Sequence, residues 1–332
     1  MNVSVGILGT GHSVPERILT NKYFENIVDT TDEWITSRTG IKERRVAGPE
    51  LAASDLGLQA ARAALKQAGT RPEELDLIIV ATITGDMPFP ATSCIIQAKL
   101  GAVNAAAFDL QAGCSGFVYA LETGRRMVRD STSRVLVVGV DLLSRVTDYT
   151  DRSTCVLFGD GAGAAVLGVV SDGFGLLASD LGADGRGADF LKLPAGGSRL
   201  PTSFETVASG EHNIYMAGNE VFKFAVRVMV DSTRRVMESA GLTAADIAWF
   251  IPHQANTRII YLAAQKLGLA RERVYVNVER FGNTSAASIG IALDELTRSG
   301  DVDEGDCLLL VGFGAGLTWG STIVRWGGLQ HG

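Results

Sequence analysis

The chain has 332 residues, 46% of them apolar and 20% charged, with 39 glycines against 8 prolines. That composition belongs to a folded chain with a substantial core and excludes a disordered one. A net charge of −7 argues against nucleic acid as a partner, and no apolar run approaches the roughly 20 residues of a membrane span.

The opening stretch, residues 1–9, has no basic lead or long apolar segment, so it reads as a first strand and not as a signal peptide. Gly6, Gly9 and Gly11 invite a dinucleotide-loop reading. Their spacing departs from G-x-G-x-x-G, no clear helix follows, and Pro15 interrupts. Residues 58–68 carry apolar side chains at helical spacing with Gly69 as C-cap, and residues 77–81 follow as a buried strand. Residues 105–110 form another apolar strand leading into Gln-Ala-Gly-Cys-Ser-Gly (111–116), then a run of small helical residues. Cys114 is therefore expected at a helix N-terminus, where unpaired N–H groups and partial positive charge favour a thiolate. Flanking glycines allow a tight turn and a close approach by substrate. Taken alone, a cysteine in this position also fits a buried small hydrophobe. Residues 134–140 read as the next strand.

Residues 171–217, rich in Gly, Asp and Ser, break the pattern and read as a junction with a loop insertion. The plan then starts again. A helix over 228–240 is capped by Gly241, and a strand over 247–251 closes on Ile-Pro-His-Gln-Ala-Asn (251–256). A helix over 257–267 follows. A strand over 274–278 is expected before Phe-Gly-Asn-Thr-Ser (281–285), and another over 307–311. Corresponding elements recur at an offset of roughly 170 residues, which reads as an internal duplication. Alternating strands and helices predict an α/β fold with two halves, 1–171 and 172–332, fused into one unit. Strand ends in such folds collect the chemistry.

Three strand-end residues then stand out. Cys114 and Asn283 occupy matching positions in the two halves, and His253, one of four histidines, sits at a strand–helix junction. Each has a plainer reading: a core thiol, a turn or cap asparagine, and a hydrogen-bonded structural histidine. Together, Cys, His and Asn serve either cysteine-protease or thioester chemistry. The fold argues against the protease, and no protease-like local sequence is present. In thioester chemistry the thiolate accepts an acyl group while neutral His and Asn donate to a developing enolate oxygen. The remaining cysteines, Cys94, Cys155 and Cys307, lie in apolar segments without metal-like spacing and read as core thiols, so a reduced, cytoplasmic compartment is expected.

Gly-Cys-Ser-Gly, Pro-His-Gln-Ala-Asn and Gly-Asn-Thr-Ser-Ala-Ala-Ser, in this order and spacing, resemble the β-ketoacyl-acyl-carrier-protein synthase III family of thiolase-like condensing enzymes. The likeness extends over nearly the whole chain, through residues 31–41, 151–163, 216–223 and 312–320. It implies a layered α-β-α-β-α fold of duplicated halves. It also implies decarboxylative condensation of a primer acyl-CoA with malonyl-acyl-carrier-protein, initiating fatty acid synthesis through an acyl-cysteine. The chain would work as a cytoplasmic homodimer with no cofactor beyond its CoA substrate, and with neither nucleic acid nor membrane as partner. Elongating relatives carry a second histidine where this chain has Asn283. Plant-type polyketide synthases share Cys-His-Asn but lack the Pro-His-Gln-Ala-Asn form. A condensing enzyme or acyltransferase of secondary metabolism is the alternative within the likeness, and a catalytically silent carrier-protein binder the alternative outside it.

The resemblance also implies site residues. Cys114, His253 and Asn283 are catalytic, with the N–H groups of Cys114 and Gly314 as oxyanion hole. Glycines 312, 314 and 316 suit a backbone that comes close to a ligand. Trp34 and Arg152 would flank the CoA adenine, and Arg38 would meet phosphate. Gly218 and Asn256 would line the pantetheine tunnel. Phe89 would bound the acyl pocket from a loop at the dimer interface. Lys223, Arg258 and Lys266, with Arg227 and Arg234 nearby, would form a basic patch for an acidic carrier protein.

Overall fold

The computed structural model describes residues 3–329, so the start of the expected first strand lies outside the described residues. Two sheets carry the fold. The first contains β1 (Val5–Ser13), β2 (Leu77–Ala81), β3 (Ala106–Leu110), β4 (Val135–Leu142) and β5 (Asp160–Val169), in the order β1-β5-β4-β2-β3. β2 runs parallel to β3 and β4, while β5 is antiparallel to β4 and β1. The second contains β6 (Gly175–Ala183), β7 (Ile247–Pro252), β8 (Cys307–Gly314) and β9 (Thr318–Arg325), in the order β7-β8-β9-β6. Here β7 and β8 are parallel and the other pairings antiparallel. Traced from β6, the second sheet repeats the first without a counterpart of β3.

Seven helices matter for the site: α1 (Asp32–Thr39), α2 (Ala53–Ala68), α3 (Thr92–Leu100), α4 (Gly116–Met127), α5 (Gly218–Ala240), α6 (Thr257–Leu267) and α7 (Ala287–Ser299). α4 and α7 are sandwiched between the two sheets, with α2 outside the first and α5 outside the second. Phe117 and Leu121 of α4 and Ile289 and Leu293 of α7 share one core with Ile79 and Val137 of the first sheet and Leu308 and Leu310 of the second. Burial on both sides of the central helices and sheets explains their nearly continuous apolar runs.

Gly9 and Gly11 lie inside β1, not in a phosphate loop. A Cβ on either would strike the α2 backbone at Ala60, Ala64 or Ala68, so these glycines let helix and sheet touch. The alanine-rich face of α2 meets them.

Three expectations are corrected. Residues 171–217 are not only loop, because they contain β6, the edge strand of the second sheet. The strand expected over 274–278 is reduced to a single parallel bridge between Phe250 and Val274. The Gln254 side chain takes over its backbone: Nε2 donates to Tyr275 O (3.1 Å), while Oε1 accepts from Asn277 N (2.9 Å) and Val278 N (3.2 Å). Val278–Phe281 then turns helical, so Asn283 follows a helical turn and not a strand end. Finally, Cys155 and Cys307 are buried, but Cys94 is exposed on α3. Among the described residues no helix is long and apolar enough to cross a membrane.

Candidate active site

Cys114 lies in a single helical turn, Gly113–Ser115, between β3 and α4. That turn is fastened to the start of β9: the Ser115 hydroxyl meets Ala112 O (2.7 Å) and Thr318 Oγ1 (2.9 Å), and Thr318 Oγ1 in turn donates to Ala112 O (2.8 Å). Gly314 passes so close that a Cβ there would collide with the Cys114 amide nitrogen. The two backbones expected to supply the oxyanion hole are therefore in contact.

The expected resting thiolate is not what the site favours. Cys114 is buried, and burial pushes its thiol up to about 12, aided by the nearby Asp141 charge. The helix N-terminus and Ser285 work in the opposite direction but do not prevail. The Ser285 hydroxyl lies between the sulfur and Asp141 without a hydrogen bond of good geometry to either. The resting sulfur thus keeps its proton.

His253 follows β7 directly, and its N–H donates to Val311 O (2.7 Å), extending the parallel pairing with β8. Its ring packs edge-on against Phe313 at 5.2 Å. Burial lowers its pKa to about 3, so the imidazole is neutral. Nδ1 lies 2.7 Å from Ser288 Oγ, which also accepts from Gln254 N at 3.4 Å. The contact occupies Nδ1 and leaves Nε2 free; in the tautomer in which Ser288 donates to Nδ1, the ring proton resides on Nε2 as a donor.

Asn283 is pinned through its backbone. Its N–H donates to Leu157 O (2.9 Å), and its carbonyl accepts from Gly159 N (3.0 Å). Its side-chain oxygen accepts from Ser285 N (2.9 Å), which leaves Nδ2 as the outward donor. Ser285 adopts φ +51°, an uncommon left-handed conformation for serine that the turn imposes.

The start of α7 brings these stretches together. Ala286 faces Gly116 of α4, and Ser288 holds His253. Two central helices thus point their N-termini at one place, a favourable setting for developing negative charge. The arrangement can hold an acyl group on sulfur and donate to an oxyanion from two uncharged side chains. Ser288 and Asp141 were not singled out from sequence. The only local signal for Ser288 is its place in a Ser/Thr/Asn-rich helix start, which reads equally as capping.

A cavity of about 1330 Å³ opens on Cys114, lined among others by Met87, Phe89, Leu142, Leu193 and Ile214. His253 and Asn283 do not line it. Phe89 stands at its mouth and is 84% exposed, so within one chain it does not close the pocket.

The remaining predicted residues fall in two groups. Trp34 and Arg152 meet, with the guanidinium 4.9 Å from the indole centroid. Two stacked contacts on a purine need about 7 Å between flanking planes, so Arg152 must swing aside for a base to enter. It is half-exposed and held by Asp29 O at 2.9 Å. Asn256 is already engaged: Oδ1 caps α6 by accepting from Arg258 N (2.8 Å), and Nδ2 donates to Arg38 O (3.0 Å). This ties the end of α1, with the exposed Arg38, to the helix after His253. Gly218 opens α5 and is exposed. Lys223, Arg227, Arg234 and Lys266 line one groove of about 460 Å³ between α5 and α6. Arg258 sits over Phe222 at its edge, 5.6 Å from the ring.

Residues 108–185 match the 3-oxoacyl-[acyl-carrier-protein] synthase III family, and residues 237–326 match its C-terminal family. The β-ketoacyl-[acyl-carrier-protein] synthase III of Caldanaerobacter subterraneus subsp. tengcongensis is 57% identical over 325 residues, covering 98% of each chain. That of Clostridioides difficile is 52% identical over 327 residues, covering 98% of this chain and 99% of that one. The crystal structure of the Thermus thermophilus enzyme of that name superposes with a TM-score of 0.91 at 50% identity, covering 98% of this chain and all of the other. A priming β-ketosynthase from the R1128 polyketide pathway superposes at 0.90 with 41% identity, covering 97% of this chain and 96% of the other. Fold and site thus define an acyltransferase of the thiolase fold. The chain belongs to the 3-oxoacyl-[acyl-carrier-protein] synthase III family.

Proposed function

We propose that the chain condenses a primer acyl-CoA with malonyl-acyl-carrier-protein to give β-ketoacyl-acyl-carrier-protein, the first step of fatty acid synthesis. The Cys114 sulfur attacks the thioester carbonyl, forming an acyl-cysteine and breaking the bond to the CoA sulfur, which leaves with the thiol proton. Malonyl-carrier-protein then loses carbon dioxide, and the electron pair of the broken bond becomes an enolate. His253 Nε2 and Asn283 Nδ2 donate to the enolate oxygen, while the enolate carbon attacks the acyl-cysteine and expels Cys114 as a thiolate, which takes up one proton from solvent to restore the thiol. The N–H groups of Cys114 and Gly314 receive the tetrahedral oxyanion. No step calls for a cofactor.

One observation carries this reading: a histidine kept neutral by burial, with Ser288 at Nδ1, and an asparagine whose oxygen is already occupied, both tied to the start of α7 through Ser288 and Ser285. Such a pair offers donors and no base. Trp34, Arg152 and Arg38 receive the CoA nucleotide, and Gly218 and Asn256 the pantetheine. The groove holding Lys223 and Lys266, with Arg258, receives the acidic carrier protein. Phe89 bounds the acyl pocket in a homodimer. Support comes from its exposure at the cavity mouth and from β3, the open edge of the first sheet, where Phe108 is exposed. We read residues 1–171 and 172–332 as fused halves, and the cytoplasm as the site of action, since the nucleophilic thiol works only when reduced. Mixing acetyl-CoA, malonyl-carrier-protein and the enzyme tests the reaction by mass spectrometry. Acetoacetyl-carrier-protein with release of carbon dioxide is expected. Acetyl-carrier-protein formed without decarboxylation would overturn the proposal in favour of simple transfer.

A further inference from the structure

Asp141, near the end of β4, is completely buried and, among the described residues, forms no ion pair. It lies between two segments of different function. Its Oδ1 accepts from Ile83 N (2.8 Å), Thr84 N (3.1 Å), Thr84 Oγ1 (2.7 Å) and Thr82 Oγ1 (3.1 Å). These residues begin the loop that carries Met87 and Phe89 along the cavity wall. Its Oδ2 accepts from Ala286 N at 3.3 Å. Ala286 ends the turn in which Ser285, held at φ +51°, donates to the Asn283 side-chain oxygen. One carboxylate therefore anchors the wall of the primer pocket and the turn that aims the decarboxylation donor.

We infer that Asp141 is a positioning residue for both half-reactions, fixing the primer pocket through residues 82–84 and the Asn283 donor through Ala286. The inference rests on the two-stage reading above. Burial pushes the Asp141 carboxyl up, whereas the N–H and hydroxyl donors around it favour the ionised acceptor. An isosteric amide would present hydrogens to one of those two sets of donors. Strain at Ser285 needs an anchor of this kind to persist. Thr84 Oγ1 reinforces the link by accepting from Leu142 N (2.8 Å), the residue that follows Asp141.

The test compares Asp141→Asn with the unsubstituted chain. Acylation of Cys114 is timed with acetyl-, butyryl-, isovaleryl- and octanoyl-CoA. Carbon dioxide release from malonyl-carrier-protein is then expressed per acylated site, counted by intact mass. This normalisation removes any loss of folded protein. The order of preference among the four primers should change, and release per acylated site should fall about tenfold or more. An unchanged primer order, an unchanged release per site, or a fall in yield or Tm alone would each overturn the inference. If Asp141→Asn does not fold, Thr84→Val removes one pocket-side donor to Asp141 together with the acceptor of Leu142 N, and should still alter the primer order; no alteration counts against the proposal. If the unsubstituted chain forms no acyl-cysteine, the two-stage reading fails first and takes this one with it. If it acylates and condenses normally while Asp141→Asn matches it, only the role of Asp141 is lost.

Discussion

Ser288 Oγ lies 2.7 Å from Nδ1 of His253, a hydrogen bond between two buried side chains 35 residues apart. It occupies Nδ1 and leaves Nε2 as the free ring nitrogen. Ser288→Ala should spare acylation of Cys114 and slow decarboxylation about tenfold, the upper range for one neutral hydrogen bond. Single-turnover acylation and carbon dioxide release, measured separately, check this.

The buried imidazole also leaves a mark on stability. His253 has its pKa lowered to about 3 from 6.5, so between these values the unfolded chain binds a proton that the folded chain refuses. Stability from this residue is present above pH 6.5 and is lost as pH falls toward 3. Between pH 7 and pH 5 the loss amounts to about 2 kcal/mol. Urea unfolding at both values should show His253→Gln losing less by about that amount.

Gly314→Ala tests the oxyanion hole. The new methyl group meets the Cys114 amide, and either backbone must move. Acylation should drop by about 100-fold or more, as when one oxyanion donor is removed, with a lower Tm from overpacking. Acylation at the normal rate with a normal Tm would exclude Gly314 from the hole.

The Trp34–Arg152 stack predicts a binding effect. Trp34→Ala should raise KM for acyl-CoA by up to about tenfold, the range of one aromatic or cation–π contact, and leave decarboxylation by the acylated enzyme unchanged. CoA should also change Trp34 fluorescence as Arg152 leaves the ring.

The sequence made the strand–turn–helix setting of Cys114 legible because a mostly apolar strand, broken only by Asp109, precedes it. It did the same for His253 and for the helix Thr257–Leu267. Residues 274–278 misled because their apolar alternation is that of a strand. Only the fold reveals that Gln254 has claimed their backbone. The thiol was read as ionised from its helix terminus alone, and burial, which sequence does not show, reverses the outcome. Ser288 and Asp141 stayed hidden because their roles depend on partners 35 and 145 residues away. Cys94 sits among apolar neighbours in sequence but on the exposed side of α3.

The most direct measurement is the mass of the chain after incubation with acetyl-CoA alone, in the unsubstituted protein, Cys114→Ser and Asn283→Ala. An acetyl adduct should appear on the peptide containing Cys114, disappear in Cys114→Ser, and persist in Asn283→Ala, whose decarboxylation falls about 100-fold. An adduct on another residue, or its loss in Asn283→Ala with decarboxylation intact, would contradict the division of labour between the sulfur and its two neutral donors.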